Sequence, residues 1–364
     1  MMTSTFVYDE YNSSSHSTDG KLSDGAYLAT GIYLSIVATC ATFGNILVLA
    51  VILRERKLRT KPHNVLIVNL AIADLGISFF GYPLTTISGF YGRWMFSQLA
   101  CSVTGFFSFF LSMGSMNTLM CVSVYRYIMV CDSGKQKYLS LANTKYVIVG
   151  IWSHALFWTG LPLLGWGGYH LEPFGTSCSL DWANRAYSNI TYLLCTIVVC
   201  YLIHVIIIGK CYYKIVITTK KLQLWENSSN RNLQTMSDVL WVHRVTTDKQ
   251  VTIMCFALVA TFLIIWTPYA IVCLLYVILP DIPVALTTIP TMFCKAGCLM
   301  NPIIYFATNA KFRDVCRHLY CCCFYRKVEN GIVPKKVKAY DEVTKDGVYV
   351  GRGTLSVIDD PSMF

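Results

Sequence analysis

Charge is what this sequence has least of. Only 14% of its 364 residues are Asp, Glu, Lys or Arg, against 54% hydrophobic, and its mean hydropathy is +0.49. A water-soluble domain of that length can bury a large core, but it needs a more polar surface than this composition supplies. The polar residues are also segregated, into both tails and a few short loops. That distribution fits a multi-span membrane protein with one domain. A short apolar leader with a cleavage site is missing too: residues 1–21 are polar and rich in Ser, Thr, Asp and Asn. The expectation is no cleaved signal peptide, with the first span directing insertion. There is no continuous basic face either. The formal net charge is +10, but the basic residues sit beside apolar segments. Membrane topology accounts for them better than a nucleic-acid partner does. Nor do the 16 cysteines form the framework of a small secreted protein, since most lie inside apolar segments, where buried thiols are the ordinary case. Neither catalytic residues nor a metal site are expected.

What the chain has instead is long apolar runs, at about 26–53, 65–87, 99–130, 146–166, 187–217, 251–279 and 284–307. Each reaches the roughly 20 residues that a helix needs to cross a bilayer. The expected fold is therefore all-α: a seven-transmembrane helix bundle with a short amphipathic cytoplasmic helix. Its expected parts are an outer tail at 1–25, the bundle at 26–307, an interfacial helix at 308–323 and a disordered cytoplasmic tail at 324–364.

Orientation follows from the basic residues. Arg54, Arg56, Lys57, Arg59 and Lys61 follow the first span, and Lys135 and Lys137 follow the third. Lys210, Lys214, Lys220, Lys221, Arg231, Arg244 and Lys249 follow the fifth. The alternate loops hold little more than Arg93, His170 and Arg185. Positive loops stay in the cytoplasm, so the N-terminus lies outside and the C-terminus inside. Sequons at Asn12 and Asn189 then fall on the outer side, while the one at Asn227 falls inside and stays unmodified. Cys101 opens the third span and Cys178 precedes the fifth, both on the oxidising side, where a bridge would pin the outer loop across the bundle mouth. After the last span, the basic amphipathic stretch 311–320 runs into Cys321, Cys322 and Cys323. It reads as an interfacial helix on membrane lipid with S-acylation sites, or as a tail with spare thiols.

Ionisable residues inside a span need a partner or a task. Asp74, with Asn45 and Asn301, can form a polar cluster around water or a sodium ion, or serve as structural glue. Arg126 ends the third span and can pair with Asp248 at the inner start of the sixth, as a breakable switch or a static pair. It can also snorkel to lipid phosphates. Lys295 sits near the middle of an apolar helix with no acid within a turn or two along it. An apolar interior favours the uncharged form of an amine, which is a nucleophile toward carbonyls. The other reading is a lysine paired to an acid on another helix.

Taken together, these residues resemble the rhodopsin-like G-protein-coupled receptors. The likeness rests on Gly44-Asn45, Leu70-Ala71-Ile72-Ala73-Asp74, Arg126, Trp152, Trp266-Thr267-Pro268-Tyr269 and Asn301-Pro302-Ile303-Ile304-Tyr305, in that order along all seven spans. A lysine six residues before the Asn-Pro pair is the opsin mark within that family, and Lys295 and Asn301 have that relation. The resemblance implies 11-cis or all-trans retinal bound to Lys295 as a Schiff base, in a pocket with Trp266, Tyr269, Thr104 and Ser108. It implies a switch built from Arg126, Asp248, Asn301, Pro302 and Tyr305. Thr104 stands where vertebrate visual pigments carry the counterion glutamate, so Glu172, six residues before Cys178, is the expected counterion. The stretch 172–182 is similar to neuropsins, while 81–84 and 91–94 are similar to peropsins. That places the chain in the neuropsin, peropsin and Go-opsin group, neuropsin-like first. The implied function is a light-sensing receptor for a heterotrimeric G protein of Gi/Go type, with arrestin as a further partner. The alternatives are a retinal photoisomerase and a chemoreceptor. Two positions depart from the pattern. Tyr125 replaces the acid that clamps Arg126, and His204 replaces a proline, which puts the bulge that proline supports in doubt.

Overall fold

The computed structural model describes residues 21–228, 249–279, 282–309 and 312–317. Apolar composition makes the helices, and local polar groups start them. Helix α1 spans Asp24–Arg54, and its N-cap Ser23 accepts from the Ala26 amide at 3.3 Å. A one-turn helix at Arg56–Arg59 leads into α2, Pro62–Tyr91, which is interrupted at Gly81. Ser97 caps α3, Gln98–Cys131, and Ser140 caps α4, Leu141–Gly160. Each of these serine hydroxyls satisfies one of the amides that a helix start leaves without a partner. Helix α5 runs through Tyr187–Thr196, a π turn at Ile197–Leu202, and Ile203–Ser228. Helix α6 is Lys249–Ile278, with Pro268 inside it.

Among the described residues, six helices are long and apolar enough to cross a membrane. The seventh crossing is divided. Helix α7, Val284–Lys295, and helix α8, Gly297–Thr308, are 12 residues each and meet at Ala296. The expected seven-helix bundle is therefore present. The span bounds agree within a few residues, except that α4 begins five residues earlier and ends six earlier, and α5 continues to Ser228, eleven residues beyond its expected end. Residues 312–317 are helical, within the expected interfacial segment. The tails, the remainder of that segment and Asp248 lie outside the described residues, as do Asn12, Cys321, Cys322 and Cys323.

The bundle is apolar outside, and polar side chains are set among the apolar ones within. Phe43, Phe79, Ile264 and Ile289 are all at least 64% exposed, while Asn45, Asp74, Asn117 and Arg126 are buried. That inversion suits hydrocarbon as solvent. Helix α3 is central, packing on α2, α4, α5 and α6 and on the outer hairpin. In lipid, helices associate by close packing and interhelical hydrogen bonds, so small residues and amides mark their contacts. Asn69 shows the second device: it donates to Thr118 Oγ1 at 2.8 Å and accepts from Trp152 Nε1 at 2.9 Å, joining α2, α3 and α4.

Gly44 and Gly114 show the first. A Cβ on Gly44 would stand 2.7 Å from the Pro302 ring, and one on Gly114 would stand 2.6 Å from the Trp152 ring. Neither ring can swing away as a flexible chain end would. Gly44→Ala and Gly114→Ala should each destabilise the bundle by about 1–3 kcal/mol, the usual cost of overpacking. Thermal unfolding of the purified protein in lipid nanodiscs measures this, and an unchanged midpoint would count against the close approach.

Candidate functional site

The outer loop between α4 and α5 folds inward. Strands β1, Tyr169–Leu171, and β2, Cys178–Leu180, pair antiparallel with Leu171 opposite Cys178. Cys178 is bonded to Cys101 in the first turn of α3, as the sequence led one to expect, with 5.3 Å between their Cα atoms. The Tyr27 hydroxyl donates to the Phe174 carbonyl at 3.2 Å, tying the hairpin turn to α1. These anchors fix the turn that carries Glu172.

Glu172 directly follows β1. Its amide donates to the Ser177 carbonyl at 2.8 Å, and its own carbonyl accepts from Gly175 at 2.8 Å, where the backbone is left-handed. The backbone of the turn is thus satisfied, but the side chain is not. Glu172 is 4% exposed, and its Oε2 is buried without a hydrogen-bond partner. Burial pushes this carboxyl above the usual carboxylate range. Acting the other way, in decreasing order, are the charge of Lys295 and the hydroxyls of Ser179 and Thr291.

Lys295 is the last residue of α7, at the break in the seventh crossing. The Tyr82 hydroxyl donates to its carbonyl and lies 2.7 Å from Cys298 Sγ, so one phenol from α2 holds both sides of the break. The Lys295 and Glu172 side chains meet a common cavity of about 190 Å³. Ser108, Trp266 and Tyr269 also line it. Thr104 is buried in α3 but is not among the lining residues. Trp266 stacks on Phe262 with ring centroids 5.6 Å apart and meets Tyr269 edge-on at 6.1 Å. The site is therefore an amine and an under-bonded carboxyl in the same mostly apolar, aromatic-walled space. Such a space suits a long apolar molecule that ends in one carbonyl.

The same cavity reaches Asp74 and Asn301. Asn301 donates to Asp74 Oδ2 at 2.7 Å, and Ser115 donates to Oδ1 at 3.4 Å. Asn45, placed with them by the sequence, bonds instead to the carbonyls of Ala41 and Cys298, each at 3.0 Å. Pro302 and Tyr305 follow in α8, both buried, and the Tyr305 hydroxyl has no hydrogen-bond partner.

Toward the inner ends, Arg126 is 1% exposed and donates to Thr252 Oγ1 of α6 at 2.7 Å, so its guanidinium is buried rather than turned out to lipid. Tyr125 turns away from it, with its hydroxyl 3.0 Å from Thr144 Oγ1 on α4. The structure also places two further positions singled out in the sequence. Asn189 is buried and its amide donates to Asp181 at 2.9 and 3.0 Å, so this sequon presents no free acceptor. The bulge in α5 is present as the π turn, although its proline is replaced by His204. Sequence reasoning missed Tyr82, Ser179 and Thr291 at the site. Their only signal was polarity near apolar surroundings, which many residues share.

The profile of the 7 transmembrane receptor (rhodopsin family) matches residues 44–305. Opsin-5 of Homo sapiens is 36% identical over 296 residues, covering 80% of this chain and 81% of the relative. The G0-coupled rhodopsin of Mizuhopecten yessoensis is 32% identical, over 80% of this chain and 72% of the relative. The visual pigment-like receptor peropsin of Homo sapiens is 30% identical, over 85% and 91%. Among solved structures, squid rhodopsin superimposes with a TM-score of 0.75 at 25% identity, covering 89% of this chain and 98% of that one.

A carboxyl whose value is raised by folding favours the folded state when protonated. That contribution is complete below the unfolded value of about 4.3 and is lost as pH rises through the folded one. The thermal midpoint of the ligand-free protein should therefore fall more steeply with rising pH in the wild type than in Glu172→Gln. Matching pH profiles would show that Glu172 is not desolvated as described.

Proposed function

The chain belongs to the rhodopsin family of seven-transmembrane receptors and is a light-sensing receptor of opsin type, in which, we propose, Lys295 holds retinal and Glu172 is the counterion. The observation that carries this reading is that Lys295 and Glu172 line one apolar-walled cavity, with a carboxylate oxygen left unbonded there. A retinal-sized polyene fits the chemistry of that lining: aromatic walls, a primary amine and an acid to balance a positive linkage. When bound through Lys295 as a Schiff base, retinal supplies absorption of light and a change of shape.

The residues of the chain do the rest. Glu172 keeps a proton at the Lys295 nitrogen by offsetting its charge where water is excluded. Trp266, stacked on Phe262, feels any change of shape in the cavity and passes it to α6. Arg126 and Thr252 join α3 to α6 near their inner ends, so outward motion of α6 breaks that bond and opens a cytoplasmic face. Asp248 adds a charge partner for Arg126 in this scheme. A ligand acts as a switch only through different affinities for the two states, and a covalently held one satisfies this by changing shape in place.

The partner is a heterotrimeric G protein, with Gi/Go type favoured by similarity to a rhodopsin named as G0-coupled. Arrestin is a further partner. The protein spans the plasma membrane several times, N-terminus outside, with Asn12 glycosylated and Cys321, Cys322 and Cys323 as acylation sites. The Asp74–Asn301 pair holds water or sodium.

Reconstitution with 11-cis and all-trans retinal should give a pigment whose spectrum changes on illumination and which drives GTP exchange on a Gi/Go protein. Lys295→Ala should form no pigment. Glu172→Gln should shift absorption to the ultraviolet, because an uncompensated cation gives up its proton; an unshifted spectrum and acid titration would remove Glu172 as counterion. Turnover of added retinal without GTP exchange would identify an isomerase, a reading that Tyr125 and the likeness to peropsin support. Failure with every retinal isomer would leave a chemoreceptor.

A further inference from the structure

His204 stands where similar receptors carry a proline, and nothing in the proposed light response uses it. Its surroundings are nonetheless specific. The π turn Ile197–Leu202 ends just before the helical segment that carries His204. A π turn widens the backbone by one residue against the regular ladder, and such turns gather at functional sites. A proline holds a distorted turn from within the backbone, since it lacks an amide hydrogen and its ring crowds the preceding turn. Histidine keeps its amide hydrogen, so it can hold the turn only through its side chain.

That side chain is held on another helix. His204 is 4% exposed, and its Nε2 lies 2.8 Å from Asn117 Oδ1 of α3. Asn117 Nδ2 donates to the Ile151 carbonyl of α4 at 3.1 Å, which fixes the amide orientation, because a carbonyl only accepts. The same Nδ2 lies 3.1 Å from His154 Nδ1, also of α4. His204 Nε2 must therefore carry a hydrogen and His154 Nδ1 must accept one. A single amide joins α3, α4 and α5.

The π turn faces the site. Ile197, Cys200 and Tyr201 line the same cavity as Lys295. The Tyr201 hydroxyl pairs with Thr267 of α6, the residue next to Trp266. We propose that His204, held by Asn117, replaces the proline as the pin of the π turn and is a positioning residue for signalling. Held this way, Tyr201 stays against Thr267, and α6 remains coupled to the cavity wall. The signalling half of this inference rests on the proposed light response, whereas the pin itself does not.

The test is a double-mutant cycle in full-length protein in lipid nanodiscs, comparing wild type, Asn117→Leu, His204→Pro and the double variant. Hydrogen–deuterium exchange at amides 197–204 of the retinal-free protein reads the turn. Light-driven GTP exchange per mole of pigment reads signalling. Asn117→Leu should speed that amide exchange about tenfold, the effect of losing roughly one net hydrogen bond. It should lower GTP exchange by a similar factor while leaving the absorption spectrum in place. In the His204→Pro background the same change should alter either reading by less than about twofold, because the proline holds the turn without Asn117. Equal losses in both backgrounds, or no loss with His204 present, would overturn the proposal. If no retinal isomer forms a pigment, the light response fails while amide exchange still decides the pin. If His204→Pro does not fold, His204→Ala replaces it: Asn117→Leu should then add nothing to its amide exchange, and additive effects would overturn the pin.

Discussion

Glu172 is drawn out of water beside a cavity that Lys295 also lines, and the outer loop is organised around that desolvation. A carboxyl with a buried, unbonded oxygen is costly, and the charge of Lys295 offsets part of that cost. Neither is placed by its own segment alone. The hairpin holding Glu172 is fixed by the Cys101–Cys178 bridge and by Tyr27, and the helix end holding Lys295 is fixed by Tyr82. The disulfide is thus part of the site as well as a brace for the loop.

The same constraint explains the rest of the polar interior. With no water in the hydrocarbon, a buried amide or hydroxyl is stabilised by bonding across to another helix or back to its own backbone, although the Tyr305 hydroxyl does neither. Asn69 joins three helices, Asn117 joins three, and Asn45 closes α1 onto α8. These junctions avoid the cavity side of α6, where the contacts of Trp266 are aromatic rather than hydrogen-bonded. Packing of that kind lets the Trp266 ring shift without breaking a hydrogen bond, although moving α6 as a whole also works against the Tyr201–Thr267 and Tyr269–Ser179 pairs. The proposed signal uses that freedom, and the Arg126–Thr252 bond opposes it near the inner ends.

The two departures from the family pattern turn out differently. Tyr125 leaves Arg126 without an acid beside it in sequence and takes Thr144 instead, while the arginine reaches across the bundle to Thr252. His204 removes a proline yet keeps the turn, because a side-chain bond to Asn117 acts where the backbone no longer can. A sequence pattern marks the loss of a residue type, but it does not show which neighbour has taken over the work.

Much of the molecule was legible in its sequence. Runs of apolar residues of bilayer length fix the number of crossings, because an unsatisfied backbone cannot lie in hydrocarbon and so must be helical. Spacing to Asn301 marked Lys295, and the position before Cys178 marked Glu172. What the tertiary structure decided was partnership. Asn45 bonds to a carbonyl instead of joining Asp74, Thr104 is buried off the cavity wall, Asn189 is buried beside Asp181, and Tyr82 clamps the break at Lys295. Except for the Asn189–Asp181 pair, eight residues apart, these placements depend on segments far apart in the chain and on how each helix is rotated. Hydrophobic length specifies that a helix crosses; it carries no information on which way each polar side chain along it will face.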